Sequence, residues 1–156
     1  MSKSLKRVER DAERLGLCID VLKMEVSTKT AAEAATAIGA EVDQIVKSII
    51  FRGGGSGRAL LFLTAGGNQV DIEKAAQLAQ EPLERADAAF IRAETGFAIG
   101  GVSPIGHLTP PRAFLDAHLM NFDLIWAAAG TPHHVFPISP ADLERITGAQ
   151  PADFTS

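Results

Sequence analysis

Two apolar runs separated by a glycine cluster constrain this chain more than any other feature. Residues 45–52 (Ile-Val-Lys-Ser-Ile-Ile-Phe-Arg) and 59–65 (Ala-Leu-Leu-Phe-Leu-Thr-Ala) have strand-like content. Gly53-Gly54-Gly55-Ser56-Gly57 between them reads as a flexible hairpin connection. The cluster could pass for a phosphate cradle, but it lacks the Lys-Ser/Thr ending and a following helix. An antiparallel hairpin is therefore expected near the middle of the chain.

Helices are expected around it. Residues 4–15 divide their faces: at about 100° per residue, Leu5, Val8, Ala12 and Leu15 share one stripe. Lys3, Lys6, Arg7, Arg10 and Arg14 fall on the opposite stripe, which is either an ordinary solvated face or a surface for phosphates. Residues 18–26 read as a strand. Thr30 with Glu33 three residues later forms a capping-box signature ahead of an alanine-rich helix that Gly39 closes. Further helices are expected over 71–80 and 86–95, and a last one behind Ser139 with Pro140 at its first position. Short strands are expected at 97–99, 124–129 and 135–138. Strands mixed with helices, with no repeat or linker, predict an α+β domain with a mixed, curled sheet.

Composition narrows the class. The 156 residues are 46% hydrophobic and 22% charged, as expected of one globular domain. No apolar run approaches the ~20 residues that a membrane-spanning helix needs. The first residues carry charge with no apolar stretch behind them, unlike a secretory signal. The single cysteine, Cys18, suits a reducing compartment, so a cytoplasmic location is expected, with an inert buried thiol. The net charge of −4 is uneven: residues 1–30 hold seven Lys/Arg against five acids, and residues 71–156 hold five against eleven. Local patches, not net charge, decide phosphate binding.

Three places can carry chemistry. Lys47 shares a strand face with Ile45, Ile49 and Phe51. A lysine there either holds an anion or extends to water near the strand end, and the strand alone leaves both open. Residues 100–107 (Gly-Gly-Val-Ser-Pro-Ile-Gly-His) form a loop whose backbone can approach a ligand and aim N–H groups at a carbonyl oxygen. His107 in that loop is a base or a surface residue. The third place is 130–134, Gly-Thr-Pro-His-His, after an apolar strand. Adjacent His133 and His134 would point opposite ways on a strand, which makes a poor metal pair. No His-Glu-x-x-His, cysteine pair or Gly-x-Ser-x-Gly elbow is present, so neither a metal nor a serine triad is expected.

Together, Val46-Lys47-Ser48-Ile49-Ile50, the Gly-x-x-x-Pro from Gly100 to Pro104 and the Gly-x-x-x-His from Gly130 to His134 occur in the order of a known family. With Thr95-Gly96-Phe97 before the glycine loop, the chain resembles the YbaK/ProRS-associated aminoacyl-tRNA editing domains over residues 4–154. The resemblance implies a mixed, barrel-like β-sheet surrounded by helices, one editing domain over 1–156, and no cofactor. It implies a trans-editing deacylase that hydrolyses the ester of a mischarged tRNA, chiefly tRNA-Pro carrying Ala, Cys, Ser or Thr. An aminoacyl-tRNA synthetase is a further partner of that kind of protein. Water would attack the ester with help from the terminal ribose hydroxyl and without a covalent nucleophile. Lys47 would hold the terminal adenosine or its phosphate, N–H groups near Gly100 and Gly101 would polarise the carbonyl, and Ser103, Pro104, His107, Gly130 and His134 would line the substrate site. The rival readings are a non-catalytic tRNA- or synthetase-binding module of the same fold and a hydrolase of another small ester.

Overall fold

The computed structural model describes residues 3–25 and 30–156, and its centre is the expected hairpin. Strands β2 (Val46–Gly53) and β3 (Ala59–Ala65) pair antiparallel from Val46↔Ala65 to Arg52↔Ala59. Every residue of β3 is buried, because it lies inside the sheet and is covered on both faces. Leu61 and Leu63 pack into one apolar cluster, while Leu60 and Phe62 pack into another on the opposite face. Phe62 stacks on Phe114 and meets Phe51 and Phe154 edge-on.

Before the hairpin come α1 (Lys3–Arg14), β1 (Leu22–Lys23) and α2 (Ala31–Ile38). After it come α3 (Ile72–Ala79), β4 (Leu83–Arg85), α4 (Ala88–Thr95), β5 (Arg112–Asp116), β6 (Ile125–Ala128), β7 (His134–Ile138), α5 (Pro140–Thr147) and β8 (Gln150–Ala152). The strands make two sheets, β4-β2-β3-β5-β8 and β1-β7-β6. The larger is mixed, since β5 runs parallel to both β3 and β8. Among the described residues a single bridge, Ile45 to Trp126, ties the sheets at one corner. The architecture is α+β with a mixed sheet as expected, but the sheets do not close into a barrel. Each ends on a short strand, and one bridge cannot carry the ladder round.

Local signals placed the helices well. Thr30 Oγ1 accepts from Glu33 N–H at 3.1 Å, and Glu33 Oε1 accepts from Thr30 N–H at 3.2 Å, the expected reciprocal box. Asp71, Asp87 and Ser139 cap α3, α4 and α5 through their side chains. Leu5, Val8 and Ala12 bury the expected face of α1.

Three expectations need correction. The strand over 18–26 reduces to Leu22–Lys23, paired with Val135 and His134, and Val26 lies outside the described residues. Leu17, Ile19 and Val21 turn to the core, so alternation exposes Cys18 instead of burying it. Residues 97–99 form no strand: Phe97 is fully buried, and the chain turns at once, with Gly101 N–H donating to the Ala98 carbonyl at 3.1 Å. Conversely β4, β5 and β8 had no signal in the sequence, being three to five residues long with charged or proline-containing runs. No helix among the described residues is long and apolar enough to cross a membrane.

Candidate active site

The site forms where the large sheet is left incomplete. Strand β4 pairs only with Phe51, Arg52 and Gly53, so among the described residues the first half of β2 has no strand neighbour on that side beyond the bridge at the preceding Ile45. A cavity of about 540 Å³ occupies the gap, within the range of small-ligand sites. Its walls come from β2 (Val46, Lys47, Ser48, Ile49), the start of α2 (Ala31, Ala34), the glycine loop (Ile99, Gly100, Val102) and β6 and β7 (Trp126, Ala127, Val135). The lining is mostly small and apolar, and no carboxylate is part of it among the described residues.

Lys47 is the cationic side chain of this wall. Its Nζ donates to the Asn68 carbonyl. An ammonium has three donors, so the remaining hydrogens can take a ligand. Burial pushes the Lys47 pKa below the usual lysine value, and the Asp116 and Asp43 carboxylates oppose that shift. Neither carboxylate forms a direct ion pair with it among the described residues. Beside it, Ser48 Oγ is buried and has no hydrogen-bond partner among the described residues.

The glycine loop lines the same cavity as Lys47 with Gly100 and Val102. Gly101 N–H is spent on Ala98, whereas the N–H groups of Gly100 and Val102 find no acceptor among the described residues. Gly101 instead fits the loop against the 130–134 turn: a Cβ on it would lie 2.8 Å from Thr131 Cα and 2.9 Å from Thr131 C. The second and third sequence motifs thus meet through their backbones.

The other expected site residues lie away from the cavity. Ser103 is fully buried, its Oγ accepting from Ile105 N–H at 3.3 Å, and Pro104 is buried behind it. His107 Nε2 donates to the Ser103 carbonyl at 2.5 Å, its ring meets Phe97 edge-on, and its Nδ1 is buried without a partner among the described residues. Burial lowers its pKa, against the hydrogen bond to the Ser103 carbonyl. Gly130 lies against the Ser4 carbonyl of α1. His134 Nδ1 and Thr131 Oγ1 are hydrogen-bonded at 2.6 Å, and the next residue, Val135, takes the place on the cavity wall. Burial, then Lys23 and His133, lower the His134 pKa. His133 is exposed. Both imidazoles therefore sit outside the cavity lining. No group of three His, Cys, Asp or Glu among the described residues could hold a metal ion.

The basic stripe of α1 is also divided. Arg7 Nε donates to the Gly106 carbonyl at 3.0 Å, a second guanidinium nitrogen donates to the Thr95 carbonyl at 3.4 Å, and the group covers the Phe97 ring at 4.9 Å. It braces the back of the glycine loop, which helical periodicity could not reveal. Arg14 is paired with Asp11 at 2.6 Å. Lys3, Lys6 and Arg10 remain exposed.

Sequence reasoning missed the Trp126 and α2 walls of the cavity, which come from separate parts of the chain. It also missed Asn68, Asp116 and Asp43 behind Lys47. The Gly66-Gly67 pair directly after β3 was the available signal for a tight turn there.

Comparison with known proteins gives a consistent picture. The family described as "Aminoacyl-tRNA editing domain" matches residues 25–146. A solved structure described as a "putative trans-editing enzyme for prolyl tRNA synthetase" superposes with a TM-score of 0.93 at 46% identity, covering 100% of this chain and 99% of that one. YwhH of Bacillus subtilis, itself described as uncharacterized, is 30% identical over 92% of this chain and 91% of its own. EbsC of Enterococcus faecalis, described as a "putative Cys-tRNA(Pro)/Cys-tRNA(Cys) deacylase", is 24% identical over 81% of this chain and 77% of its own.

Proposed function

The chain belongs to the aminoacyl-tRNA editing domain family, and on that premise we propose that it is a trans-editing deacylase over residues 1–156, hydrolysing the ester of mischarged tRNA in the cytoplasm. The observation that carries the reading is Lys47: a lysine with donors left over for a ligand, on the wall of a mostly apolar cavity that the glycine loop also lines.

The roles follow from that arrangement. Lys47 holds the terminal adenosine or its phosphate by a charge-assisted hydrogen bond. The N–H groups of Gly100 and Val102, in place of that of Gly101, polarise the ester carbonyl, and losing one such donor typically lowers a rate by about 10²–10³. Water attacks the carbonyl with assistance from the adjacent ribose hydroxyl, and the tRNA oxygen leaves with a proton. No side chain is acylated. Walls of alanine and valine support a small amino acid such as Ala, Cys, Ser or Thr, and the similarity to a protein described as an editing enzyme for prolyl-tRNA synthetase supports tRNA-Pro. A synthetase is the natural supplier of that substrate.

The test is deacylation of a panel of charged tRNAs (Ala-, Cys-, Ser- and Thr-tRNA-Pro, and correctly charged Pro-tRNA-Pro) beside a generic ester. Faster hydrolysis of one or more mischarged forms is expected. Turnover of the generic ester alone, or of nothing, would overturn the proposal.

The division of α1 makes a further prediction. Reversing the exposed Lys6 and Arg10 to glutamate should raise KM for full-length tRNA and reduce the salt slope by about 1–2, the value for one or two phosphate contacts. Hydrolysis of an aminoacyl-adenosine mimic should hardly change. Arg7→Ala should instead lower thermal stability, by about 1–3 kcal/mol for its hydrogen bonds and ring contact. Parent-like handling of tRNA by the double reversal at low salt would make this stripe a solvated face.

A further inference from the structure

Behind Lys47 lies a set of polar contacts that the proposed chemistry does not use. Strand β3 ends at Ala65 and the chain turns, with Asn68 N–H donating to the Ala65 carbonyl at 2.9 Å. The turn is held from two sides. Asp116, at the end of β5 and 3% exposed, accepts from Ala65 N–H at 3.0 Å and from Asn68 Nδ2 at 2.9 Å through one oxygen. Its other oxygen accepts from His118 N–H at 3.0 Å. Asp43, in the 3-10 turn before β2, accepts from Gly67 N–H at 2.8 Å and meets His118 Nε2 at 3.0 Å. Gly66 in the same turn is packed against Val42 and Ala31: a Cβ there would run into the Val42 carbonyl oxygen. The carbonyl that this clamp immobilises, that of Asn68, receives the Lys47 ammonium.

We propose that Asp43 and Asp116 are positioning residues for Lys47: they clamp the 66–68 turn so that the Asn68 carbonyl fixes the ammonium at the cavity wall, and their negative charges favour its charged form. A buried carboxylate is expensive unless its oxygens are satisfied, and Asp116 has three N–H donors. A carboxylate so placed supplies a fixed negative field to a neighbouring cation. The charges of Asp116 and Asp43 work against the lowering of the Lys47 pKa by burial, and His118 bridges the two carboxylates. The functional importance of this clamp rests on the role proposed for Lys47, but its electrostatic part does not.

The experiment therefore has two readouts. Protein labelled with ¹³C,¹⁵N-lysine is titrated by NMR, with the Lys47 signal assigned by its loss in Lys47→Arg, and deacylation is measured on the same samples. Asp43→Asn should make Lys47 lose its proton at lower pH than in the parent, since a neighbouring negative charge has gone. Asp43→Glu, which keeps that charge, should restore the parent titration. Asn68→Ala, which releases the turn from Asp116 and keeps the backbone carbonyl, should lower kcat/KM about tenfold and alter the Lys47 signal. All three substitutions avoid the buried Asp116, whose replacement would leave three N–H donors unpaired and threaten folding. Folded Asp43→Asn and Asn68→Ala proteins with an unchanged Lys47 titration and signal would overturn the inference. A shifted titration in a protein that deacylates nothing would leave the clamp standing and remove the deacylase reading instead.

Discussion

Lys47→Ala is expected to lower kcat/KM for the mischarged substrate by about 10- to 100-fold, the equivalent of the 1.5–3 kcal/mol carried by one charge-assisted hydrogen bond. The fold should survive. The side chain is only partly buried, its one hydrogen bond among the described residues is to the Asn68 carbonyl, and burial works against its charged form. A melting temperature within about 3 °C of the parent is the matching expectation for a chain of this size. Lys47→Arg should recover little, because a planar guanidinium cannot place its donors where a compact ammonium does. Full activity in Lys47→Ala would remove this residue from the site and with it the central support for the proposed chemistry.

Gly101→Ala should produce the other large effect, and on both stability and activity. A Cβ at this position meets the backbone of Thr131 at 2.8–3.0 Å, and backbone on both sides leaves nothing flexible to yield. The glycine loop must then move away from the 130–134 turn. Overpacking of this kind costs about 1–3 kcal/mol, a fall in melting temperature of roughly 3–10 °C. A displacement of about 1 Å in the N–H groups facing the carbonyl can lower turnover about 10²-fold. Gly55→Ala is the control. Its Cβ would come no closer than 3.5 Å to Glu81 Oε1 in the hairpin loop, an ordinary contact far from the cavity, so activity and stability should stay near the parent's. Equal behaviour of the two variants would show that the approach of Gly101 to Thr131 is not needed.

What the sequence determined by itself is local. The hairpin of β2 and β3, the capping box at Thr30, the proline-led α5 and the buried stripe of α1 follow from signals within a dozen residues, where turn chemistry and periodicity act. Lys47 was legible because a lysine among strand residues of mainly apolar character demands an explanation. The glycine loop was legible from composition alone, and the two motifs with Lys47 pointed to the family that the comparisons show.

Tertiary structure decided the rest. Strands β5 and β8 exist because parallel neighbours accept them, not because five or three residues specify a strand. Cys18 is exposed because Leu17, Ile19 and Val21 took the core side of the chain. Arg7 left the outward stripe because the Gly106 and Thr95 carbonyls and the Phe97 ring lie within its reach, residues some ninety positions away. The cavity itself lies at a strand edge left unpaired among the described residues, made by where β4 stops and where β6 crosses. No property of β2 encodes that edge. His134 stands off it because strand alternation gave the wall to Val135, and Lys47 stands on it because Asp43, Asp116 and Asn68, remote in sequence, meet behind it. Contacts between distant residues depend on which surfaces are left free once the core has packed, and a linear pattern does not contain that information.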